Sequence, residues 1–368
     1  MKESVSQKNL ILLILLSFLQ IRLFELDSKM KVKRKDDISF VFKGLGVIHD
    51  FIITKNWHVF VHTSAEIDQN ASMKALLGLG SFAGALNFSK GCSHIFMIPR
   101  AKLLKEGKSS EMDVETDSRI ISIPIDKMFA YHLSNGYETP NKELVFEVLQ
   151  AENVSLDLGH TDKPVWEIEN MFDHVYPTKL VQYVVDIENK SLSETIPPKV
   201  LSTRTPEFPV IPKDLSSHKH KFIYCVGAHM HFVKFRNTKK LGPPGCPPGS
   251  IMKINTDFPD KNEVYSFQPH EFPGEVAFAA KDKKDAGTTK GEDSGYLVVF
   301  VVNGKKKTTE LHMFDVEGEG SLENGPISKV MLPTFIPHGL HGSFFPGVTF
   351  DFTPYSKEKC FYERGSCP

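Results

Sequence analysis

The chain is 368 residues long, enough to bury a substantial core as one large β domain or two ordinary domains. Its 44 Lys and Arg nearly cancel 45 Asp and Glu, and apolar residues make up 40% of it with 28 Phe. Such a balance excludes a global field steering it toward nucleic acid or an anionic membrane, and suits a neutral or apolar substrate.

In chain order, the first feature is an aliphatic run at residues 10–16, extended by Phe18, Leu19 and Ile21 and preceded by Lys2 and Lys8. It resembles the apolar part of a signal peptide and is shorter than the ~20 residues of a membrane span. No small-x-small cleavage site follows, and residues 20–27 alternate like a strand. Residues 1–20 are therefore read as an uncertain N-terminal apolar segment: a targeting segment, a buried strand or a chance gene-model start.

From residue 21 onward one texture repeats, a β-branched or aromatic run of four to eight residues closed by a polar or Gly/Pro break. Runs at 57–61, 94–99, 119–125, 144–149, 180–187, 221–226, 296–302 and 329–332 show it. Many short strands with turn signals predict an all-β sandwich, barrel or propeller. Residues 71–86, apolar and laced with glycine, break the pattern as a helix or loop over the tops of the sheets. Plain packing is weighted above membrane contact there. Residues 281–293, charged and rich in Gly and Thr, predict an exposed excursion.

Five Cys (Cys92, Cys225, Cys246, Cys360 and Cys367) are odd in number and lack C-x-x-C spacing, which predicts reduced thiols and an intracellular setting, with Cys360 and Cys367 able to pair. No phosphate loop, dinucleotide fingerprint, nucleophile elbow or basic aromatic patch supports a nucleotide-dependent, hydrolase or nucleic-acid reading.

The histidines carry more. His49, His132 and His341 each end a short apolar run, too far apart for zinc-finger spacing, and predict a metal centre assembled at the axis of a large β fold. Glu207 and Glu275 sit in apolar, Pro-flanked segments where an unpaired carboxylate is costly. Each is therefore a candidate to accept the second ring N–H of a metal-bound His. His338 is set aside as peripheral to any ligand set or exposed. His218 and His220 are read as a solvated loop, and His229 with His231 as a weak metal pair. Glu138 and Glu292 are assigned to a turn and a strand edge.

With these positions in hand the chain resembles the carotenoid cleavage dioxygenases, iron oxygenases that include retinoid isomerases and stilbene-cleaving enzymes. His49-Asp50-Phe51-x-x-Thr54, His132-x-x-Asn135-x-Tyr137-Glu138 and Pro337-x-Gly339-x-His341-Gly342 match its motifs in order. Ile98-Pro99-Arg100, Glu207-Phe208-Pro209, Lys253-Ile254-Asn255 and Glu292-Asp293-Ser294-Gly295-Tyr296 match signatures between them. The match covers roughly residues 23–345.

The resemblance implies a seven-bladed β-propeller with short helices or loops capping its iron face, and Fe(II) on the axis held by four histidines that three glutamates orient. It also implies addition of O2 across a conjugated double bond to give two carbonyl products. His49, His132 and His341 would be metal ligands, with Glu207 and Glu275 behind them. The chain departs from the pattern in that family members carry a first His ligand, and a Glu before it, upstream of the strand aligned with residues 23–33, whereas His49 is the first His here. Residues 21–368 are thus expected to form a propeller lacking its first blades, a fragment or mispredicted product before a natural truncation. Leu340 and Val276 replace the family's usual Phe and Pro.

The leading expectation is an Fe(II) dioxygenase cleaving a carotenoid or apocarotenoid. The alternatives are an inactive relative that binds an apolar polyene and a stilbene-type oxygenase. Its partners would be the polyene, O2 and, through residues 71–86, a membrane surface, in the cytoplasm or a plastid.

Overall fold

The structure, a computed structural model, describes residues 18–23, 29, 31, 38–43, 45–80, 83–88, 91–100, 111–113, 116–154, 176–229, 247–281, 291–345 and 347. Strands β1 (Phe18–Leu23) and β2 (Ile38–Lys43) pair antiparallel, and β8 (Glu111–Asp113) joins β2 in parallel. A second sheet holds β3 (Leu45–Gly46), β4 (Ile52–Ile53), β5 (Trp57–Ile67), β6 (Leu86–Asn87), β7 (Ser93–Pro99) and β9 (Ile121–Ile125), with β5 at its centre.

The third sheet is β10 (Phe129–Glu138), β11 (Glu143–Ala151) and β12 (Thr178–Asp186), with β13 (Ser191–Leu192) and β14 (Lys199–Ser202) both on β12. Two four-stranded meanders follow. One runs β15 (Glu207–Val210), β16 (Phe222–Ala228), β17 (Pro248–Asn255) and β18 (Glu263–Ser266). The other runs β19 (Glu271–Ala280), β20 (Gly295–Asn303), β21 (Thr308–Asp315) and β22 (Ser328–Met331). Each of the eight runs predicted from sequence overlaps a strand.

The apolar clusters lie between consecutive sheets. Val59, Ile95, Met97 and Ile123 of the second sheet meet Leu144, Phe146, Val148 and Val185 of the third. On β11 the alternate residue Leu149 turns the other way and, with Leu180 and Leu201, meets Ile223, Cys225 and Ile254 of the fourth. Tyr224, Val226 and Ile251 meet Val276, Val299 and Phe314 of the fifth. A sheet buried on both faces reads in sequence as an unbroken apolar run, which explains why β11, β12 and β16 were legible. Sheets stacked face to face in chain order bring an early strand of each together: β4 touches β10, β10 touches β15 and β15 touches β19. That line of contact positions the candidate site.

Within residues 71–86 the structure has α1 (Gln69–Leu76) and a short 3-10 turn at Ala83–Ala85. Asp68 caps α1 by accepting the Ala71 N–H at 2.9 Å, and Gly78, at φ 72°, turns the chain out of it. The packing expectation fails for the helix, which has no buried residue and leaves Leu76, Leu77 and Leu79 between 65 and 73% exposed. Ala85 and Phe88, beyond it, do enter the core. Of the excursion expected at 281–293, residues 282–290 lie outside the described residues; at its two ends Lys281 bonds Asp315 and Glu317, and buried Asp293 pairs with buried Lys253 at 2.9 Å. Residues 10–16, and Cys246, Cys360 and Cys367, lie outside the described residues, while Cys92 and Cys225 are free thiols. Among the described residues no helix is long and apolar enough to cross a membrane.

Candidate metal centre

His49 lies on the segment leading into β4, His132 on β10 and His341 on the chain after β22. Only His132 is on a strand, while His49 and His341 lie on segments flanking strands of two other sheets, so it is the stacking of sheets that makes them neighbours. Their ring centroids are 5.1 Å (His49 and His132), 5.3 Å (His132 and His341) and 6.0 Å (His49 and His341) apart. One nitrogen from each falls in a group spanning no more than 4.8 Å.

His132 is aimed by irregularity in its strand. The pairing of β10 with β11 slips between Ala130 and Leu133 and again between Leu133 and Gly136, and such bulges re-aim side chains beside sites. Gly136 is required by crowding, since a Cβ there would stand 2.8 Å from the Ile52 side chain of β4. The end of β10 is tied to the turn before β5 by Glu138, whose oxygens accept from the Thr54 hydroxyl at 2.6 Å and from Asn56 N and Nδ2 at 2.7 and 2.6 Å. Asn135 donates to the carbonyls of Leu215 and His218 at 3.3 and 3.0 Å and accepts from Ser217 N at 3.0 Å.

Behind the rings stand the two glutamates singled out from sequence, each on the first strand of its sheet. Glu207 Oε2 lies 2.8 Å from His132 Nδ1. Glu275 Oε1 lies 3.4 Å from His341 Nδ1, while its other oxygen accepts the Gly342 N–H at 2.6 Å. With Nδ1 taken up, His132 Nε2 is buried and has no hydrogen-bond partner. An orphaned imidazole nitrogen facing two other imidazoles is what a metal ion would satisfy, so the residues fit one; neutral nitrogen donors alone suit Fe, Zn, Cu or Ni.

Electrostatics points the same way. Burial works to lower the His132 pKa, yet the hydrogen bond and charge of Glu207, helped by the charges of Asp50 and Glu275, outweigh it and hold the ring above its ordinary value. The same negative field would favour a cation placed between the rings.

Phe208 and Tyr131 touch the cluster; Phe208 stands in the Glu207-Phe208-Pro209 signature, where no role was expected of it, and no motif marks Tyr131. The Phe208 ring is 5.3 Å from His132 and 5.4 Å from His341, and Tyr131 stands edge-on to His49 at 5.7 Å. Phe208 occupies φ 53°, a left-handed backbone that costs a non-glycine residue about 1–2 kcal/mol. No local pattern announces such a conformation. It sits where the pairing of β15 with β16 slips between Glu207 and Val210.

The other histidines separate from the site. His338 Nε2 lies 3.0 Å from the Pro273 carbonyl, turned to β19 rather than to the rings. His229 Nε2 lies 3.0 Å from the Gln268 carbonyl, and His231 is outside the described residues. The solvated-loop expectation holds for His218, which is exposed, and fails for His220. His220 is buried, its Nδ1 3.0 Å from Asn135 Nδ2 and its Nε2 3.5 Å from the fully buried Glu147. Flanking lysines suggested solvent, but the chain entering β16 turns this side chain inward. Glu292 accepts the Lys221 and Phe222 N–H groups at the start of that strand at 2.7–2.8 Å.

Residues 8–346 match the sequence profile of the family described as "Retinal pigment epithelial membrane protein". Apocarotenoid-15,15'-oxygenase from Synechocystis is 23% identical over 323 residues, covering 88% of this chain and 56% of that protein. Resveratrol cleavage oxygenase 1 from Aspergillus fumigatus is 24% identical over 332 residues, covering 85% and 57%. The crystal structure of cobalt-substituted Synechocystis ACO matches with a TM-score of 0.69 at 22% identity, over 89% of this chain and 58% of that one. The chain spans about half the length of the curated relatives it matches.

Proposed function

Since this chain belongs to the retinal pigment epithelial membrane protein family, the carotenoid oxygenases, we propose that it serves a non-heme Fe(II) dioxygenase reaction cleaving a conjugated double bond of a carotenoid or apocarotenoid. The observation that carries the reading is the convergence of His49, His132 and His341 from three distant parts of the sequence into a 4.8 Å group. We assign these three as the ligands. When bound, iron supplies the redox chemistry that makes O2 reactive toward an alkene. The chain's own residues hold and orient: Glu207 and Glu275 fix the Nδ1 sides of His132 and His341, leaving the opposite nitrogens to face inward. Phe208 and Tyr131 give the cluster an aromatic wall suited to an apolar polyene, which would be excluded from water there.

The proposed domain is a propeller beginning near residue 21, its blade number left to the family likeness. A stilbene-type substrate is the second reading, favoured by the resveratrol-cleaving relative.

The test is iron per chain by mass spectrometry after anaerobic loading, followed by O2-dependent conversion of an apocarotenoid, or of resveratrol, to two carbonyl products. His49→Ala, His132→Ala and His341→Ala should each lose iron, while His338→Ala keeps it. Equal losses for His338→Ala and His341→Ala would sink the ligand assignment. Iron retention without cleavage of either compound would leave a polyene-binding relative in place of an enzyme.

A further inference from the structure

We propose that Asp50 is a positioning residue for this centre, one carboxylate that fixes the backbones bearing His49 and His132 against each other. The inference rests on the metal-site reading above and goes beyond the two glutamates, which act on ring nitrogens. Asp50 follows His49 directly. Its Oδ2 accepts the N–H of Leu133, the residue directly after His132, at 3.0 Å, across 83 positions of sequence. Its Oδ1 accepts the Phe51 N–H at 2.8 Å, which pins the carboxylate to its own turn.

Leu133 lies between the two register slips of β10. Irregular pairing of this kind leaves ladder groups in need of outside partners, and a part-buried N–H without one is costly. Asp50 supplies that partner from the segment leading into β4, next in sequence to His49 and bonded to the residue next to His132. Cutting the bond frees the bulge that aims His132 and the turn that carries His49, while Glu207 and Glu275 keep their rings. Glu138 makes a matched comparison. It also links β10 to the same neighbouring segment, through Thr54 and Asn56, yet it stands beyond both slips.

Two readouts on the full chain test this. In the metal-free protein, Asp50→Ala should speed amide exchange of the peptide spanning residues 129–138, measured by mass spectrometry; unchanged exchange overturns the tether whatever the metal does. Titrated with Co(II) alone and followed by its visible absorption, the same variant should bind about 10–100-fold more weakly. Glu138→Ala should lower the Tm with Co(II) affinity of the folded protein near wild type.

Weakened Co(II) binding in proportion to lost Tm in both variants would make Asp50 merely structural and overturn the proposal. If the Ala variant does not fold, Asp50→Asn serves. It keeps the shape but turns a donor toward one of the two N–H groups, and should show the same changes at smaller size; no change in either readout overturns the proposal. A wild-type protein that binds no Co(II) fails the metal-site reading itself, a result visible before any Asp50 variant is made, and takes the proposal with it.

Discussion

Glu207 and Glu275 meet the same ring atom of their histidines with unequal grip. Glu207 holds Nδ1 at 2.8 Å, whereas Glu275 stands 3.4 Å from its ring and gives its shorter bond, 2.6 Å, to the Gly342 backbone. A carboxylate that accepts the ring N–H fixes the tautomer and strengthens the opposite nitrogen as a donor. Glu207→Gln and Glu275→Gln keep an acceptor oxygen and lose the charge, so metal affinity should fall by ~10–100-fold. The two geometries add an ordering: the Glu207 variant is expected to lose more, because its bond goes to the ring rather than to the chain beside it. Metal titration of the two variants checks this, and unchanged affinity in both would show that they only pack.

At the scale of elements, α1 contradicts a packing role. Met73, Leu76, Leu77 and Leu79 are exposed, and the helix, with no acidic residue in its first turn and Lys74 in its last, has no buried residue. Apolar side chains held out by a capped helix suit shallow insertion of ~5–10 Å into a headgroup layer, which a substrate drawn from lipid would need. Replacing Leu76, Leu77 and Leu79 with Ser should reduce co-sedimentation with liposomes and leave iron content and Tm alone, since no core contact is lost. Unfolding of that variant, with liposome binding intact in its folded fraction, would return the segment to the core.

Across the whole molecule the sheets are joined by apolar clusters and, between the third and fourth sheets, by the buried Glu147 and His220. Burial pushes Glu147 from 4.5 up to about 8 and His220 from 6.5 down to about 4. For Glu147 the folded pKa is raised, so the stability it contributes is full below 4.5 and is lost as pH rises through about 8. For His220 it is depressed, so the contribution is present above 6.5 and is lost as pH falls through about 4. Glu147→Gln keeps an acceptor for Gln182 and cannot ionise. It should be more stable to denaturant than wild type near pH 9, by about 2–4 kcal/mol, and show only a small gain near pH 5. Equal effects at both pH values would mean that the carboxylate stays charged in the folded protein.

The strand runs were legible because middle strands such as β5, β7, β11 and β16 are buried on both faces and therefore carry unbroken apolar runs. Those runs, with the three His motifs and the two Pro-flanked glutamates, were enough by themselves to give an all-β chain and a candidate site. The first strands were harder to read. β10 is bulged and polar, β15 is four residues around a left-handed Phe208, and β19 carries a pairing slip at Pro273. Irregular pairing erases the alternation that marks a strand, and it is the same irregularity that turns site residues inward. His220 in a lysine-flanked loop and α1 in an apolar stretch were misread for a related reason, because burial depends on which face the packed sheets leave open and not on local composition. The bond from Asp50 to Leu133, like the approach of His341 to His49 across 292 positions, exists only once the sheets are stacked. Sequence spacing states which residues can serve a metal, and tertiary packing alone decides which of them meet.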